Sequence, residues 1–147
     1  MGNSQKSSFG YTVSDSGIGY VRDTLNNHYI NDDSDRPKCG GTLYIRRFIY
    51  NYKAIGSHRY IELRFDCSRC NYSRWVRTDK TSNGNKNISI ADGPNNSEDG
   101  WWYWDFNPKY SYSFSDFETM YYNAPSGYHL TRNNCADYAR YFWKRID

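Results

Sequence analysis

Aliphatic residues are scarce in this chain, which has 3 Val, 4 Leu and 9 Ile among its 147 residues. No apolar run approaches the roughly 18 residues that a membrane-spanning helix needs. The opening residues MGNSQKSSFG lack the apolar stretch of a secretory signal. The net charge is only +3, so neither sign of charge is in large excess. With no export signal, the 4 cysteines are expected to be reduced thiols in an intracellular, cytoplasmic compartment.

Aromatic residues make up for the missing aliphatic ones. They reach 19% of the chain, with 16 Tyr and 5 Trp. Because each aromatic side chain buries a large area, we expect a folded core built around tyrosine. The length suits one core. We predict a flexible or poorly patterned segment over residues 1–38 and a single α+β domain over 39–147.

The first residues leave one alternative open. The chain begins Met-Gly, as an N-myristoylation site does, but Lys6 stands where Ser or Thr is wanted and Ser7 follows it. Membrane association through a lipidated N-terminus is therefore set against a plain polar tail.

Strand patterns dominate the middle of the chain. Thr42–Tyr52, His58–Phe65 and Tyr72–Thr78 are rich in β-branched and aromatic residues, and the second alternates regularly. The turn 66–71 predicts a hairpin between the last two. The aromatic run 101–106 indicates a further strand. Residues 79–100 are predicted to be a long polar loop, with a short strand at positions 89 and 90.

Helical patterns come late. Ser115 and Glu118 form a capping-box pattern. Asn133 or Asn134 then begins a helix that runs to about Arg145, with one apolar face made by Cys135, Tyr138, Ala139, Phe142 and Ile146. The expected fold is α+β, with an antiparallel sheet over about 42–106 and the C-terminal helix packed against it.

Cys135 is the strongest candidate for a catalytic residue. It follows an asparagine cap, and unpaired backbone N–H groups and the dipole at a helix N-terminus stabilise a thiolate. Asn134 and the amides of the first turn could stabilise an oxyanion. The alternative is a buried, inert cysteine on the core face of the helix.

The segment YHLTRNNCADYARYFW resembles the nucleophile segment of circularly permuted papain-like families, the LRAT-like and permuted NlpC/P60-type proteins. In those families a Tyr-x-Leu strand leads into Asn-Cys, and an aromatic residue follows three positions later. The matching positions here are Tyr128, Leu130, Asn134, Cys135 and Tyr138.

The same resemblance implies the partners of Cys135. The histidine of those families precedes the cysteine and opens a strand, as His58 does in SHRYIEL. His58 would be the general base, and Asp79, at the end of the next strand, would orient its ring. The second histidine that is common at this place in LRAT-like enzymes is absent. His129 is a competing base that lies close to Cys135 in sequence.

The other cysteines suggest a different site. PKCGGTL and FDCSRCNYSRW resemble the two knuckles of a zinc ribbon, with Cys67 and Cys70 forming a whole Cys-x-x-Cys and Cys39 half of another. His28 or His58 could supply the fourth ligand. If His58 binds a metal, it cannot act as the base. Unliganded thiols are the alternative, so the expected cofactor is either none or a structural zinc ion.

Two function classes follow. The first is a cysteine hydrolase or acyltransferase that acts on an amide or ester of a peptide or lipid acyl substrate through Cys135 and His58. The second is a non-enzymatic, zinc-ribbon-like binding module. Its Arg- and Tyr-rich surface, between residues 44 and 77, would contact nucleic acid or a protein partner. Arginines along a strand are also common as a simple solvated face.

Overall fold

The computed structural model describes residues 17–95, 99–127 and 134–147, and the backbone of two short paired strands, β1 (Gln5–Lys6) and β2 (Thr12–Val13). The fold class is α+β, as predicted. Three helices and a five-stranded antiparallel sheet make up the part that the structure describes.

The strands of the large sheet follow one another in the chain. They are β3 (Leu43–Lys53), β4 (Arg59–Cys67), β5 (Ser73–Lys80), β6 (Lys86–Ala91) and β7 (Trp101–Phe106). Their spatial order is β6-β5-β4-β3-β7, so the chain crosses the sheet between β6 and β7. The predicted polar loop 79–100 therefore contains a full strand, β6, of which the sequence indicated only two residues.

The break in the alternating pattern of the first strand corresponds to an irregularity in the sheet. The pairing of β3 with β4 shifts register between Ile45 and Arg47. This β-bulge lies where the two consecutive arginines break the alternation, because the extra residue lets both point away from the core. The hairpin of β4 and β5 pairs Ile61 with Thr78 and Asp66 with Ser73.

The helices are α1 (Ile18–Asn26), α2 (Phe114–Asn123) and α3 (Cys135–Ile146), with a short 3-10 turn at Ile30–Asp32. Helix α2 begins two residues earlier than predicted. The capping box uses Ser113 and Asp116 rather than Ser115 and Glu118, because the earlier pair lets Phe114 enter the core.

Helix α3 agrees closely with its pattern. Asn134 is the N-cap, and its side chain accepts a hydrogen bond from the Asp137 N–H at 3.0 Å. The five residues of the predicted apolar face are the buried residues of the helix. They pack on one face of the sheet, where Tyr138 shares a hydrogen bond of 2.6 Å with Thr78 of β5.

The core lies between the helices and this face of the sheet. Helix α1 contributes Val21 and Leu25, both fully buried, to the same core as the sheet and α3. The core thus includes residues that precede the boundary predicted at residue 39. Within the described ranges, no helix has the length and apolar character needed to cross a bilayer.

Candidate functional site

The first turn of α3 presents Cys135 to the start of β4. Cys135 is 5% exposed, and its thiol donates a hydrogen bond to the Ser57 carbonyl at 3.3 Å. The backbone N–H of Arg59 and the His58 ring lie close enough to its sulfur to lower the pKa of the thiol. The start of α3 is therefore in direct contact with the segment that opens β4, although Cys135 and His58 are 77 positions apart in the chain.

Asp79 completes the group that we call the Cys135 site: Cys135, His58 and Asp79. The Nε2 atom of His58 lies 3.0 Å from Asp79 Oδ2. Asp79 is fully buried, and its other oxygen accepts a hydrogen bond of 3.1 Å from Asn87 Nδ2 on β6. Because period 2 places alternate residues on one face, Asp79 lies diagonally across the hairpin from His58.

The electrostatics of the Cys135 site shift both Cys135 and His58 towards their charged forms. Burial by itself raises the pKa of Cys135, but hydrogen bonds from His58 and the Arg59 N–H outweigh it, and the pKa is lowered. Burial lowers the pKa of His58, and hydrogen bonds to Asp79 and Cys135 reverse this and raise it to about 9. A thiolate beside an imidazolium is the form of a cysteine that attacks carbonyl carbon.

Two further residues support this group: Asn87, which the sequence did not indicate, and Trp101, from the aromatic stretch 101–106 that was predicted as a strand or a pocket wall. Asn87 holds Asp79, and the ring of Trp101 meets that of His58 edge-on, with centroids 5.9 Å apart. Asn87 belongs to a strand hidden in a polar stretch. Trp101 comes from an aromatic run that gave no sign of which strand it would pair with.

Other predicted residues have different positions. Asn134 caps α3 with its side-chain oxygen, and its proposed oxyanion role stays a prediction. His129, Tyr128 and Leu130 lie outside the described residues. So does the Met-Gly start of the chain.

The remaining cysteines form a second group with His28, which we call the His/Cys cluster: His28, Cys39, Cys67 and Cys70. Their ligand atoms all lie within 4.8 Å of one another. Cys39 Sγ is 3.7 Å from Cys67 Sγ, and His28 Nε2 is 3.3 Å from the same sulfur. The arrangement could hold a metal ion. The histidine is His28, so His58 remains with Cys135.

The surroundings of the cluster suit a metal. The Gly41 N–H and the Arg69 N–H each lie 3.4 Å from a sulfur, that of Cys39 and of Cys67 respectively. His28 Nδ1 is 2.9 Å from the Leu25 carbonyl, which holds the ring with Nε2 turned to the cysteines. Tetrahedral zinc with Zn–S bonds of about 2.3 Å requires sulfurs roughly 3.8 Å apart, which the Cys39–Cys67 distance matches.

Gly41 is fixed by this packing. A Cβ atom built at position 41 would lie 2.4 Å from Cys67 Sγ and 3.0 Å from Arg69 Cβ. Only glycine lets the chain after Cys39 pass so close to Cys67. The second glycine of the CGG segment is therefore part of the cluster.

The arginines of the sheet are largely engaged in ion pairs. Arg64, Arg74 and Arg77 contact Asp66, Asp32 and Glu62, respectively, and Arg47 contacts Asp105. Glu62 is fully buried and also accepts from Asn51 at 2.8 Å. This pairing fits a structural, solvated face and reduces the charge that is free for phosphate groups.

The fold and sites define the chain as an α+β domain that carries a Cys–His–Asp group and a His/Cys cluster. No family model, curated protein or solved structure matches it. The geometry of the two sites is therefore the basis for the function.

Proposed function

We propose that this protein is a thiol-dependent hydrolase or acyltransferase acting on an amide or ester through Cys135 and His58. The contact of Cys135, His58 and the buried carboxylate of Asp79 carries this proposal. We also propose that the domain is related to the permuted papain-like folds. The histidine at the start of a strand, followed by the cysteine at the start of a packed helix, supports that relationship.

Each residue of the Cys135 site has a role in the proposed chemistry. The Cys135 thiolate attacks the carbonyl carbon and forms a tetrahedral oxyanion, which amides at the start of α3 would stabilise. The His58 imidazolium gives its proton to the leaving amine or alcohol, and a thioester on Cys135 results. His58, now neutral, takes a proton from water or another acceptor as that acceptor attacks the thioester carbonyl; the C–S bond breaks, the acyl group leaves on the acceptor, and the Cys135 thiolate and His58 imidazolium are restored. Asp79 keeps the imidazole oriented throughout.

Alkylation of Cys135 by iodoacetamide, followed by site-resolved mass spectrometry across pH, tests this proposal. In the wild type Cys135 should react well below the pH expected for a free thiol of pKa about 8.5. His58→Ala should abolish that reactivity, and His129→Ala, the control for the competing base, should leave it intact. A wild-type Cys135 that reacts like an ordinary or buried thiol would refute the proposal.

We propose a structural zinc ion for the His/Cys cluster. Three sulfurs and one imidazole nitrogen within 4.8 Å support it, because that is a closed four-ligand set with no position left for substrate. Metal analysis of protein purified without chelator should give about one zinc per chain. Cys67→Ser should lose it, and Cys135→Ser should keep it. Equal zinc in both variants would contradict the assignment.

The binding-module alternative needs no active thiol. It would keep the zinc, leave Cys135 inert and bind through its Arg and Tyr surface. The ion pairs described above make nucleic acid the weaker candidate partner.

A further inference from the structure

Arg59 occupies an unusual position beside the nucleophile. It is the first residue of β4 and follows His58 directly, and its backbone N–H lies close to the Cys135 sulfur and lowers the pKa of that thiol. Its side chain points to the face of the sheet that carries α3, because Arg59 pairs with Tyr52 at the edge of that face. The backbone of Arg59 thus lies beside the thiol, and its side chain reaches the neighbouring protein surface.

The guanidinium of Arg59 is held in place by neutral groups. It donates a hydrogen bond of 3.0 Å to the His58 carbonyl, and it lies over the ring of Tyr52, 5.6 Å from the centroid. A hydrogen bond also joins it to the hydroxyl of Tyr50. These contacts fix its direction without cancelling its charge.

Arg59 differs in this respect from most of the other arginines of the sheet; Arg46, which donates to the Ser111 hydroxyl, likewise forms no ion pair with a described residue. Arg47, Arg64, Arg74 and Arg77 each pair with a carboxylate. Within the described part of the chain, Arg59 forms no ion pair, and it is partly exposed. An oriented guanidinium that lacks a carboxylate is well suited to bind carboxylate or phosphate oxygens of a ligand.

The charge acts at the nucleophile. Arg59 is among the groups that lower the pKa of Cys135, after the hydrogen bonds from His58 and from its own backbone. Arg140, on the second turn of α3, also faces Tyr50, but Asp137 pairs with it at 3.1 Å. Arg59 is thus the better anion-binding group of the two.

We infer that Arg59 forms an anion subsite beside Cys135, which selects substrates bearing a carboxylate or phosphate close to the carbonyl that is attacked. This inference rests on the proposed function, because it names the substrate class of the same thiol. It adds a specificity residue that takes no part in the chemical step.

Two alkylating reagents of nearly the same size test the subsite without knowledge of the substrate. Iodoacetate carries a carboxylate next to its reacting carbon, and iodoacetamide carries a neutral amide there. Both convert the Cys135 thiolate to a thioether with loss of iodide. We would measure both rate constants at Cys135 in the wild type, Arg59→Gln, Arg59→Lys and Arg64→Gln.

The rate ratio of iodoacetate to iodoacetamide is the readout. Arg59→Gln should lower it about fivefold, the effect of removing one charge near the reacting atom. Arg59→Lys should retain most of it, because the charge remains. Arg64→Gln, the control on the same strand, should leave it unchanged. Protection of Cys135 from iodoacetamide by acetate or by inorganic phosphate then tells which oxyanion the subsite prefers.

An unchanged ratio in Arg59→Gln would overturn the inference while the pH profile of iodoacetamide still supports the Cys135–His58 pair. A wild-type Cys135 without low-pH reactivity would instead refute the proposed function. Circular dichroism and the thermal midpoint of Arg59→Gln show whether the variant is folded, and Arg59→Lys provides the test if it is not.

Discussion

Cysteines in different chemical settings lie at the two ends of β4: Cys135 of α3 packs against its start, and Cys67 is its last residue. At its start, one buried thiol faces a histidine and an arginine. At its end, roughly 30 Å away at about 3.3 Å per residue, Cys67 joins two other thiols and His28 in a compact cluster. In the first setting the sulfur lies beside a histidine that a buried carboxylate holds, and in the second the sulfurs are surrounded by ligand atoms and backbone N–H groups. Under the proposed functions, identical side chains would serve reactivity at one end and stability at the other.

Of the variants considered, Cys135→Ser should show the largest difference between its effects at the two ends of β4. A serine hydroxyl stays protonated where the thiol ionises, so esterase activity on p-nitrophenyl acetate should fall by about three orders of magnitude or more. Zinc content and the thermal midpoint should remain near those of the wild type. Retained activity would move the nucleophile elsewhere.

Cys67→Ser should give the reverse pattern. Loss of the metal should lower the free energy of unfolding by at least about 3 kcal/mol, since zinc binding is coupled to folding. For a chain of this size the thermal midpoint should drop by about 6–12 °C. Calorimetry with and without a chelator measures this. A chelator that leaves the wild-type midpoint unchanged would show that the cluster does not depend on metal.

Asp79→Asn tests whether the Asp79 carboxylate supports the pair of Cys135 and His58. The amide keeps the shape but removes the negative charge that raises the pKa of His58. Alkylation of Cys135 near neutral pH should slow by about 10- to 100-fold, because the imidazolium is less stable and its orientation is less fixed. Asn87→Ala, which removes only the hydrogen bond to Asp79, should have a smaller effect in the same direction.

The pH dependence of the unfolding free energy should also distinguish the start of β4, where His58 lies, from the end that carries the His/Cys cluster. The pKa of His58 is raised from 6.5 in the unfolded chain to about 9 in the folded one. Its contribution, about 1–3 kcal/mol, is therefore complete below pH 6.5 and is lost as the pH rises through about 9. The difference in unfolding free energy between wild type and His58→Ala should shrink over that interval. A difference that grows with pH would reverse the assigned direction.

Tyr138→Phe should have the smallest effect and leave both ends unchanged. It removes the hydroxyl that shares a hydrogen bond with Thr78, while Thr78 still donates to the Asn87 carbonyl at 2.7 Å. A loss of about 1 kcal/mol in unfolding free energy is expected, read by denaturant titration. Altered zinc content would indicate coupling between the core and the cluster.

The comparison also separates what the sequence predicts from what it does not. The apolar face of α3 and its Asn134 cap are local patterns, and the structure confirms both. The capping box of α2 was placed two residues late because two Ser-x-x-acid pairs overlap at 113–118, and the burial of Phe114 decides between them.

Long-range contacts were harder to foresee. His28 lies 39 residues from Cys67, and only folding of α1 against the sheet brings their atoms to 3.3 Å. The pairing of β7 with β3 requires a crossover that no local pattern encodes. In the sequence Arg59 resembles the other strand arginines, and only the structure shows that Arg47, Arg64, Arg74 and Arg77 form ion pairs while Arg59 lies beside Cys135.

The close approach at Gly41 has an evolutionary consequence. Because a methyl group at position 41 would meet the Cys67 sulfur at 2.4 Å, the two positions are expected to change together. Descendants of this chain that keep Cys67 should keep glycine at 41, and those that have lost the cysteine face only the weaker constraint of Arg69, whose Cβ would lie 3.0 Å from a Cβ at position 41. This pair of positions would then record, lineage by lineage, where the cluster has been retained and where it has been abandoned.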